Sequence, residues 1–442
     1  VEEAVMKISS RHGVSMALVL ASSLPGVGAS GGGGGGAAAG PAVDHGRIRR
    51  DRIERLLPAI LAEQGIDAWL TFTRENTPDP ILPVLGIDHI VARGAFLFAL
   101  KDGVFRRIAI AASYDVDPIK NSGLYDEVLA YKAEGIKPQL KQVLDALAPK
   151  QIAVNFSRDV TIADGLTAGL RAYLEEAVPD HARNFVSSER LIVSLLGRKL
   201  PEEIAALERA AVCTQQILAE ALSSERVRPG ITTERALDDW MRARAAELGC
   251  GVAFGSIVVG PSRGHSDPTD RVIQRGDLLR TDWGASYEGY CADIQRMAYV
   301  LKDGESSLPA WAQRLWEATL AANRAGVAAL RPGNTGNDVD RAARGSLTGA
   351  GYPEYPHGTG HAIGLKVHDV GPMLGPDWRE RYGDPVFFKI EASQVFAVEP
   401  LIYTQVPELG YEVHTSLEED VLVEAGGTRY LGTPQTEVIL IR

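Results

Sequence analysis

Four acidic residues in the C-terminal half, Asp282, Asp293, Glu399 and Glu419, sit in strand-like segments, and they restrict the fold more than any other feature. Asp282 and Asp293 lie in Asp277-Leu-Leu-Arg-Thr-Asp282-Trp-Gly-Ala-Ser-Tyr-Glu-Gly-Tyr-Cys-Ala-Asp293, which reads as two strands flanking a turn around Tyr287-Glu288-Gly289. Pairing centred on that turn sets Asp282 roughly opposite Asp293, and directly opposed side chains approach to about 5 Å. Val398-Glu399-Pro400 and Leu417-Glu418-Glu419-Asp420 repeat the arrangement around Glu408-Leu409-Gly410, so that Glu399 faces Glu419. Like charges at that distance repel unless a cation sits between them. A lone acidic residue is most simply a solvated surface charge. That simple reading is weakest for Glu399, which follows the apolar run Val395-Phe-Ala-Val398.

A second feature fits the first. Three of the nine histidines fall in Pro356-His357-Gly358-Thr359-Gly360-His361-Ala362-Ile363-Gly364-Leu365-Lys366-Val367-His368-Asp369. Glycines between them let the backbone approach something closely, and imidazole is both a metal ligand and a proton carrier near neutral pH. Four carboxylates with a neutral His361 carry -4. Two divalent cations and a bridging hydroxide bring that close to zero, which an interior tolerates where four bare carboxylates are not tolerated. Oxygen-rich donors with one imidazole suit Mn²⁺, with Zn²⁺, Co²⁺ or Fe²⁺ as alternatives. Two ions about 3.5 Å apart polarise a carbonyl and acidify the water they share. The chemistry implied is hydrolysis.

The order Asp282, Asp293, Gly358-Thr-Gly-His361, Glu399-Pro400 and Glu419-Asp420 resembles the pita-bread metallopeptidases: methionine aminopeptidase, aminopeptidase P and prolidase. The resemblance covers about residues 198–442. The α/β segment ahead of it resembles the N-terminal domain of the prolidase and aminopeptidase P branch. It implies an α/β N-terminal domain followed by an α+β pita-bread (creatinase/aminopeptidase) catalytic domain. It also implies Asp282, Asp293, His361, Glu399 and Glu419 as ligands of two metal ions, with Asp293 and Glu419 bridging and Glu399 also taking a proton. His265, His357 and His368 match the branch's substrate-side histidines, Tyr403 a supporting tyrosine, and Arg296 an arginine beside the second Asp. Two positions depart from the pattern. Gln295 stands where threonine is usual, and Leu417 where the branch has an arginine that orients the last ligands.

The rest of the chain is organised more plainly. Of 442 residues 45% are hydrophobic and 23% charged, which suits a soluble chain of two or three domains. Net charge is -11 without a basic tract, which argues against a nucleic-acid partner. Cys213, Cys250 and Cys291 are too few for a disulfide framework and read as isolated buried thiols. Residues 1–29 read as a secretory leader: a basic start at Met6-Lys7, an apolar stretch from Val14 to Leu24, and small residues at Val27-Gly28-Ala29. The expectation is a periplasmic or secreted protein, or a cytoplasmic one if the leader does not function. Residues 30–44 are a glycine-rich linker. An N-terminal domain spans 45–195, with helices at 44–65, 138–148 and 163–177 and strands at 67–72, 95–100, 104–111 and 151–156. The catalytic domain spans 196–442. Its first helix opens at Leu200-Pro201 and runs to Pro229-Gly230, and the next runs from Thr233 to Leu248. No segment beyond the leader is apolar and long enough for a membrane.

The resemblance implies a Xaa-Pro peptidase acting on small peptides, and a homodimer or higher homo-oligomer. Two alternatives stay open. One is a hydrolase of another amide or a phosphoester on the same dinuclear centre. The other is a binding protein on an inactive pita-bread fold.

Overall fold

In the computed structural model, residues 42–264 and 266–442 are described; the predicted leader (1–29), residues 30–41 of the predicted linker and His265 lie outside them. The first helix begins as the sequence predicts. The Asp44 carboxylate caps the first helix by accepting from the Arg47 amide (3.0 Å), and helical structure continues to Gln64, where Gly65 takes a left-handed φ of 65°. Six strands follow: β1 (Ala68–Arg74), β2 (Arg93–Lys101), β3 (Val104–Ala112), β4 (Glu127–Tyr131), β5 (Ile152–Val154) and β6 (Phe185–Ser187). They form one mixed sheet in the order β4-β3-β2-β1-β5-β6. Alternation along β1 and β2 serves two cores. Trp69, Phe96 and Phe98 pack with Ile53 and Leu57 on one face, and Leu70, Phe72 and Leu97 with Leu140 and Leu170 on the other. The helix expected over 163–177 starts later, at Ala168, because Thr167 caps it.

In the catalytic half the helix from Pro201 ends at Ala221, short of Pro229. The Ser223 hydroxyl takes up the Glu220 carbonyl there (2.7 Å). The next helix, Glu234–Glu247, is capped by Thr233. Cys213 and Cys250 join as a disulfide, and only Cys291 remains a free buried thiol among the described residues. The expectation of three isolated thiols is corrected: residues 37 apart in sequence meet because the second helix folds back on the first.

The remaining strands are β7 (Gly251–Val259), β8 (Leu278–Tyr287), β9 (Tyr290–Cys291), β10 (Ile294–Val300), β11 (Gly360–Ala362), β12 (Val395–Val398), β13 (Leu401–Val406), β14 (Tyr411–Ser416), β15 (Glu419–Glu424), β16 (Gly427–Tyr430) and β17 (Ile439–Ile441). One sheet runs β17-β10-β8-β7 with β9 beside β8, a second runs β11-β12-β15-β16, and β13 and β14 form a ribbon. The helices Pro201–Ala221 and Glu234–Glu247 pack on the first sheet through Leu207, Ile217 and Met241. Ala310–Ala329 packs on the ribbon through Trp311, Leu315 and Trp316, and its far end reaches the second sheet through Val327.

The two domains are joined by a buried ion pair. Arg52 of the first helical segment donates to both carboxylate oxygens of Glu203 (2.7 and 2.6 Å), and the Tyr290 hydroxyl donates to the same carboxylate (2.9 Å). Arg52 also holds the Arg198 carbonyl (3.0 Å) and the Leu195 carbonyl. Removing one partner of such a pair leaves a buried charge. Arg52→Met is expected to lower the unfolding free energy by roughly 3 kcal/mol or more, read as a lower denaturant midpoint than that of the parent chain.

Candidate active site

Strand register decides which carboxylates meet. In the first hairpin Tyr287 pairs with Tyr290 around a two-residue turn, Glu288-Gly289, whose φ values of 50° and 84° are both left-handed. That turn sets Asp282 opposite Gln295. Asp293 lies two residues before Gln295, so it meets Asp282 on the same face but diagonally, at about 7–8 Å between backbones. The expectation of direct opposition is corrected by this amount. Gly284 is required opposite Asp293, since a Cβ there would meet the Ala292 carbonyl oxygen at 2.0 Å.

The second hairpin places one predicted ligand, Glu419, outside the cluster. Its turn is four residues long, 407–410, and pairs Leu401 with Ser416 while β12 and β15 pair Val398 with Glu419. Between those pairs Glu399 faces Glu418, not Glu419. Glu419 points to the opposite side, where Arg296 Nη2 (3.0 Å) and the Gln435 amide (2.7 Å) occupy its two oxygens. A shift of one residue exchanges the faces of a strand, and that is the whole difference between the two glutamates. Leu417 packs in the apolar core with Leu401 and Val413. With Glu418 in the site, the position two residues before the last acid becomes the buried Ser416.

Asp293, His361 and Glu418 each bring one donor atom to within 4.8 Å of the others. His361 Nε2 lies 3.5 Å from Asp293 Oδ2 and 3.8 Å from Glu399 Oε1. Its Nδ1 donates to the Ala362 carbonyl (3.2 Å), which leaves the Nε2 lone pair facing the carboxylates. Gln295 Nε2 donates to Glu399 Oε2 (3.4 Å). Asp282 is held by Arg280 Nη1 (2.9 Å). Asp293 and Glu418 face each other closely enough to share a proton, and no N–H group reaches Asp293 Oδ1 or either oxygen of Glu418.

Electrostatics tell the same story. Burial, then the charges of Asp282 and Glu399, push Asp293 well above the usual carboxylate range. Burial and then Asp293 do the same to Glu418. Burial and then Asp282 raise Glu399 to about 8. Burial lowers His361 to about 3, assisted by His368, so its imidazole is neutral. Buried carboxylate oxygens that no N–H group satisfies, facing a neutral imidazole, fit the donor set of a divalent cation.

Of the other predicted residues, His368 touches the cluster through His361. The His368 ring lies 4.1 Å from that of His361 and is exposed on a cavity of about 590 Å³ lined by both domains. Lys199 Nζ holds Asp369, the next residue, at 2.8 Å. His357 Nδ1 donates to the Gly358 carbonyl (2.6 Å). Arg344, paired with Asp340, fixes the carbonyls of Tyr355 and His357 (both 2.7 Å). Tyr403 places its ring 4.6 Å from that of His414, its cross-strand partner. Arg296 reaches Glu419 and also the Glu418 carbonyl (3.2 Å), so it braces the strand rather than the cluster. Sequence reasoning missed Glu418, Arg280 and the contact of Gln295. Turn length was the signal for the first, and the two-residue spacing from Asp282 for the second.

Residues 205–425 match the metallopeptidase family M24, half of the chain. The chain belongs to the M24 metallopeptidases. It is 30% identical over 250 residues to the uncharacterized peptidase YqhT of Bacillus subtilis (strain 168), covering 55% of this chain and 64% of that one. It superposes on an X-Pro aminopeptidase from Thermotoga maritima MSB8 with a TM-score of 0.57 at 26% identity, over 88% of this chain and all of that one. A Xaa-Pro dipeptidase from Bacillus anthracis gives 0.59 at 24%, over 90% of this chain and all of that one, a likeness of fold. The fold is therefore the pita-bread architecture behind a prolidase-type N-terminal domain. M24 enzymes are metal-dependent, and Asp293, His361 and Glu418 fit a metal.

Two outcomes follow for this M24 chain. Glu399 has a folded pKa raised to about 8, so its contribution to stability is full below its ordinary value and is lost as pH rises through 8. Melting of chelated protein should therefore fall between pH 5 and 8, and saturating Mn²⁺ should raise it more at pH 8 than at pH 5. In elemental analysis Glu418→Gln should lose bound metal, whereas Glu419→Gln should keep it and melt lower.

Proposed function

We propose that this chain hydrolyses the peptide bond preceding proline, as a Xaa-Pro dipeptidase or a Xaa-Pro aminopeptidase. The observation that carries the reading is the contact between His361, inside the buried carboxylate cluster, and His368, on the wall of the interdomain cavity. Reaction centre and substrate chamber thus share an edge. The cavity volume suits a short peptide rather than a protein chain. The prolyl peptidases named above, which share the fold across both domains, support the same substrate class.

Asp282, Asp293, His361, Glu399 and Glu418 would hold two divalent ions, with Mn²⁺ first by the oxygen-rich donor set. Such ions, when bound, polarise a carbonyl and make water acidic. The chain's own residues do the rest. Glu399, buried against Asp282, is the proton acceptor, and Gln295 fixes its other oxygen. His368, exposed at the cavity, donates to the substrate carbonyl or its terminal carboxylate. His357 stands on a loop braced by Arg344 for the same task. An imide bond to proline has no N–H, so recognition must come from ring shape and chain termini.

We also propose export to an oxidising compartment and assembly into a homodimer or higher homo-oligomer. The Cys213–Cys250 disulfide supports the first, and light scattering tests the second. No described helix is long and apolar enough to cross a membrane.

The deciding assay sets Ala-Pro against Ala-Pro-Ala, each with Mn²⁺ and with a chelator. Metal-dependent release of alanine is expected from at least one of them. Release from Ala-Pro alone makes the chain a dipeptidase. Metal bound without cleavage of either peptide would instead favour a non-prolyl amide or phosphoester as substrate.

A further inference from the structure

The cavity between the domains carries a charge opposite to that of the carboxylate cluster. Two of its cations are committed to neighbours: Arg52 to Glu203 (2.7 and 2.6 Å) and Lys199 to Asp369 (2.8 Å). Three more on the wall, Arg49, Lys366 and Arg381, form no ion pair among the described residues. One acid outside the pairs stands against them, Asp159, whose Oδ2 accepts from the Asp384 amide (2.9 Å). With histidines counted neutral, five cations and three carboxylates leave the wall at +2, in a chain whose net charge is -11.

The three uncommitted cations come from separate parts of the chain. Arg49 lies on the first helix of the N-terminal domain, and Lys366 two residues before His368. Arg381 Nη1 donates to the Pro356 carbonyl (2.6 Å), and the neighbouring Tyr382 hydroxyl accepts from the Gly358 amide (2.8 Å), so both are fixed to the His357 loop. Neither His361 nor a carboxylate of the cluster lines the cavity; His368 is the step from one to the other. A peptide cut at the cluster therefore leads the residues after the bond into the cavity. At about 590 Å³ that space has room beyond a proline ring.

We propose that the cavity binds a carboxylate carried by the substrate beyond proline, so that among prolyl peptides the chain prefers those that are acidic after the cleaved bond. The inference rests on the prolyl reading for the identity of the substrate and on the cavity alone for its charge. Arginine and lysine are the side chains that recognise carboxylates, and their attraction extends over about a Debye length. The carboxylate comes either from an acidic side chain or from the peptide's own C-terminus, and both meet the same three cations.

Four peptides separate the sources: Ala-Pro-Glu-amide, Ala-Pro-Ala, Ala-Pro-Ala-amide and Ala-Pro-Lys-amide. Their kcat/KM values are measured on the full chain with Mn²⁺. Calorimetry on the same protein measures binding of analogues in which a CH₂–N linkage replaces the scissile amide, which needs no cleavage. At least one of the two carboxylate peptides should bind about tenfold more tightly than Ala-Pro-Ala-amide, and Ala-Pro-Lys-amide more weakly. The carboxylate peptide that gains names the source. The preference should shrink in about 1 M NaCl. Arg49→Gln and Lys366→Gln should each reduce it about threefold. Arg49→Glu combined with Lys366→Glu takes the wall from +2 to -2 and should turn the preference toward Ala-Pro-Lys-amide. Arg49 is half-buried and Lys366 exposed, so these variants keep the fold. Equal binding of all four analogues, or a preference that survives the double reversal, would overturn the proposal. Cleavage of prolyl peptides without any preference would overturn it and leave the prolyl reading standing. The expected binding pattern without cleavage would sustain the carboxylate site and remove the prolyl reading.

Discussion

Mutual repulsion among buried carboxylates is the constraint that the catalytic half is built to hold. Asp282, Asp293, Glu399 and Glu418 come from three separate stretches of chain, and each is 14% exposed or less. Left alone, such a group would splay the strands that carry it or take up protons. The scaffold resists because the backbone pairing is fixed around it. Glu399 is pinned by its amide to the Thr359 carbonyl (2.7 Å), and Asp293 by its amide to Asp420 Oδ2 (3.1 Å). Asn323 ties the Val398 and Leu417 carbonyls from the outer helix (2.8 and 3.3 Å). These contacts neutralise nothing. They fix where the charge must sit, and a cation then finds its donors already placed.

Arg296 and Glu419 show how the same strands are stabilised on the other side. Their buried pair is satisfied nearly everywhere: Arg296 also holds the Gln295, Glu418 and Thr433 carbonyls, and Glu419 also takes the Gln435 amide. A pair so completely bonded avoids the desolvation penalty that makes most buried ion pairs neutral at best. It also sets the register of β15 against β10, and through it the side on which Glu418 emerges. Two adjacent glutamates thus do opposite things, one closing a structural joint and one facing the reactive cluster.

Much of this was legible in the sequence, and what was not has a definite cause. Helix starts were readable because a cap is local chemistry, as at Asp44 and Thr233. So were the apolar strands, the family, and four of the five cluster residues. The first helix of the catalytic half was read too long because Pro229 is a strong stop signal, yet the chain leaves the helix earlier at Leu222. That Glu418 rather than Glu419 faces the cluster was not legible for a different reason. The motif fixes an order of residue types, while the face on which a strand residue emerges depends on turn length, and a four-residue turn was read as three. Arg280 was passed over because an arginine inside a strand looks like a surface residue until its neighbours are known.

The junction between the domains carries this logic to the substrate side. Lys199 stands in the link from the N-terminal domain, with its amide on the Ser393 carbonyl (2.8 Å) and its side chain on the Leu196 carbonyl (3.1 Å) and Asp369. Gly364 opposes it, and a Cβ there would strike Asp369 Oδ2 at 1.8 Å. The loop that presents His368 is therefore tied at its base to the segment that joins the two domains. Arg52, Glu203 and Tyr290 line the same cavity. Any rotation of the N-terminal domain that opened the chamber would pull on both ion pairs together. The cavity wall and the histidine that faces it are thus tied to one segment, which keeps the cavity and the carboxylate cluster in register.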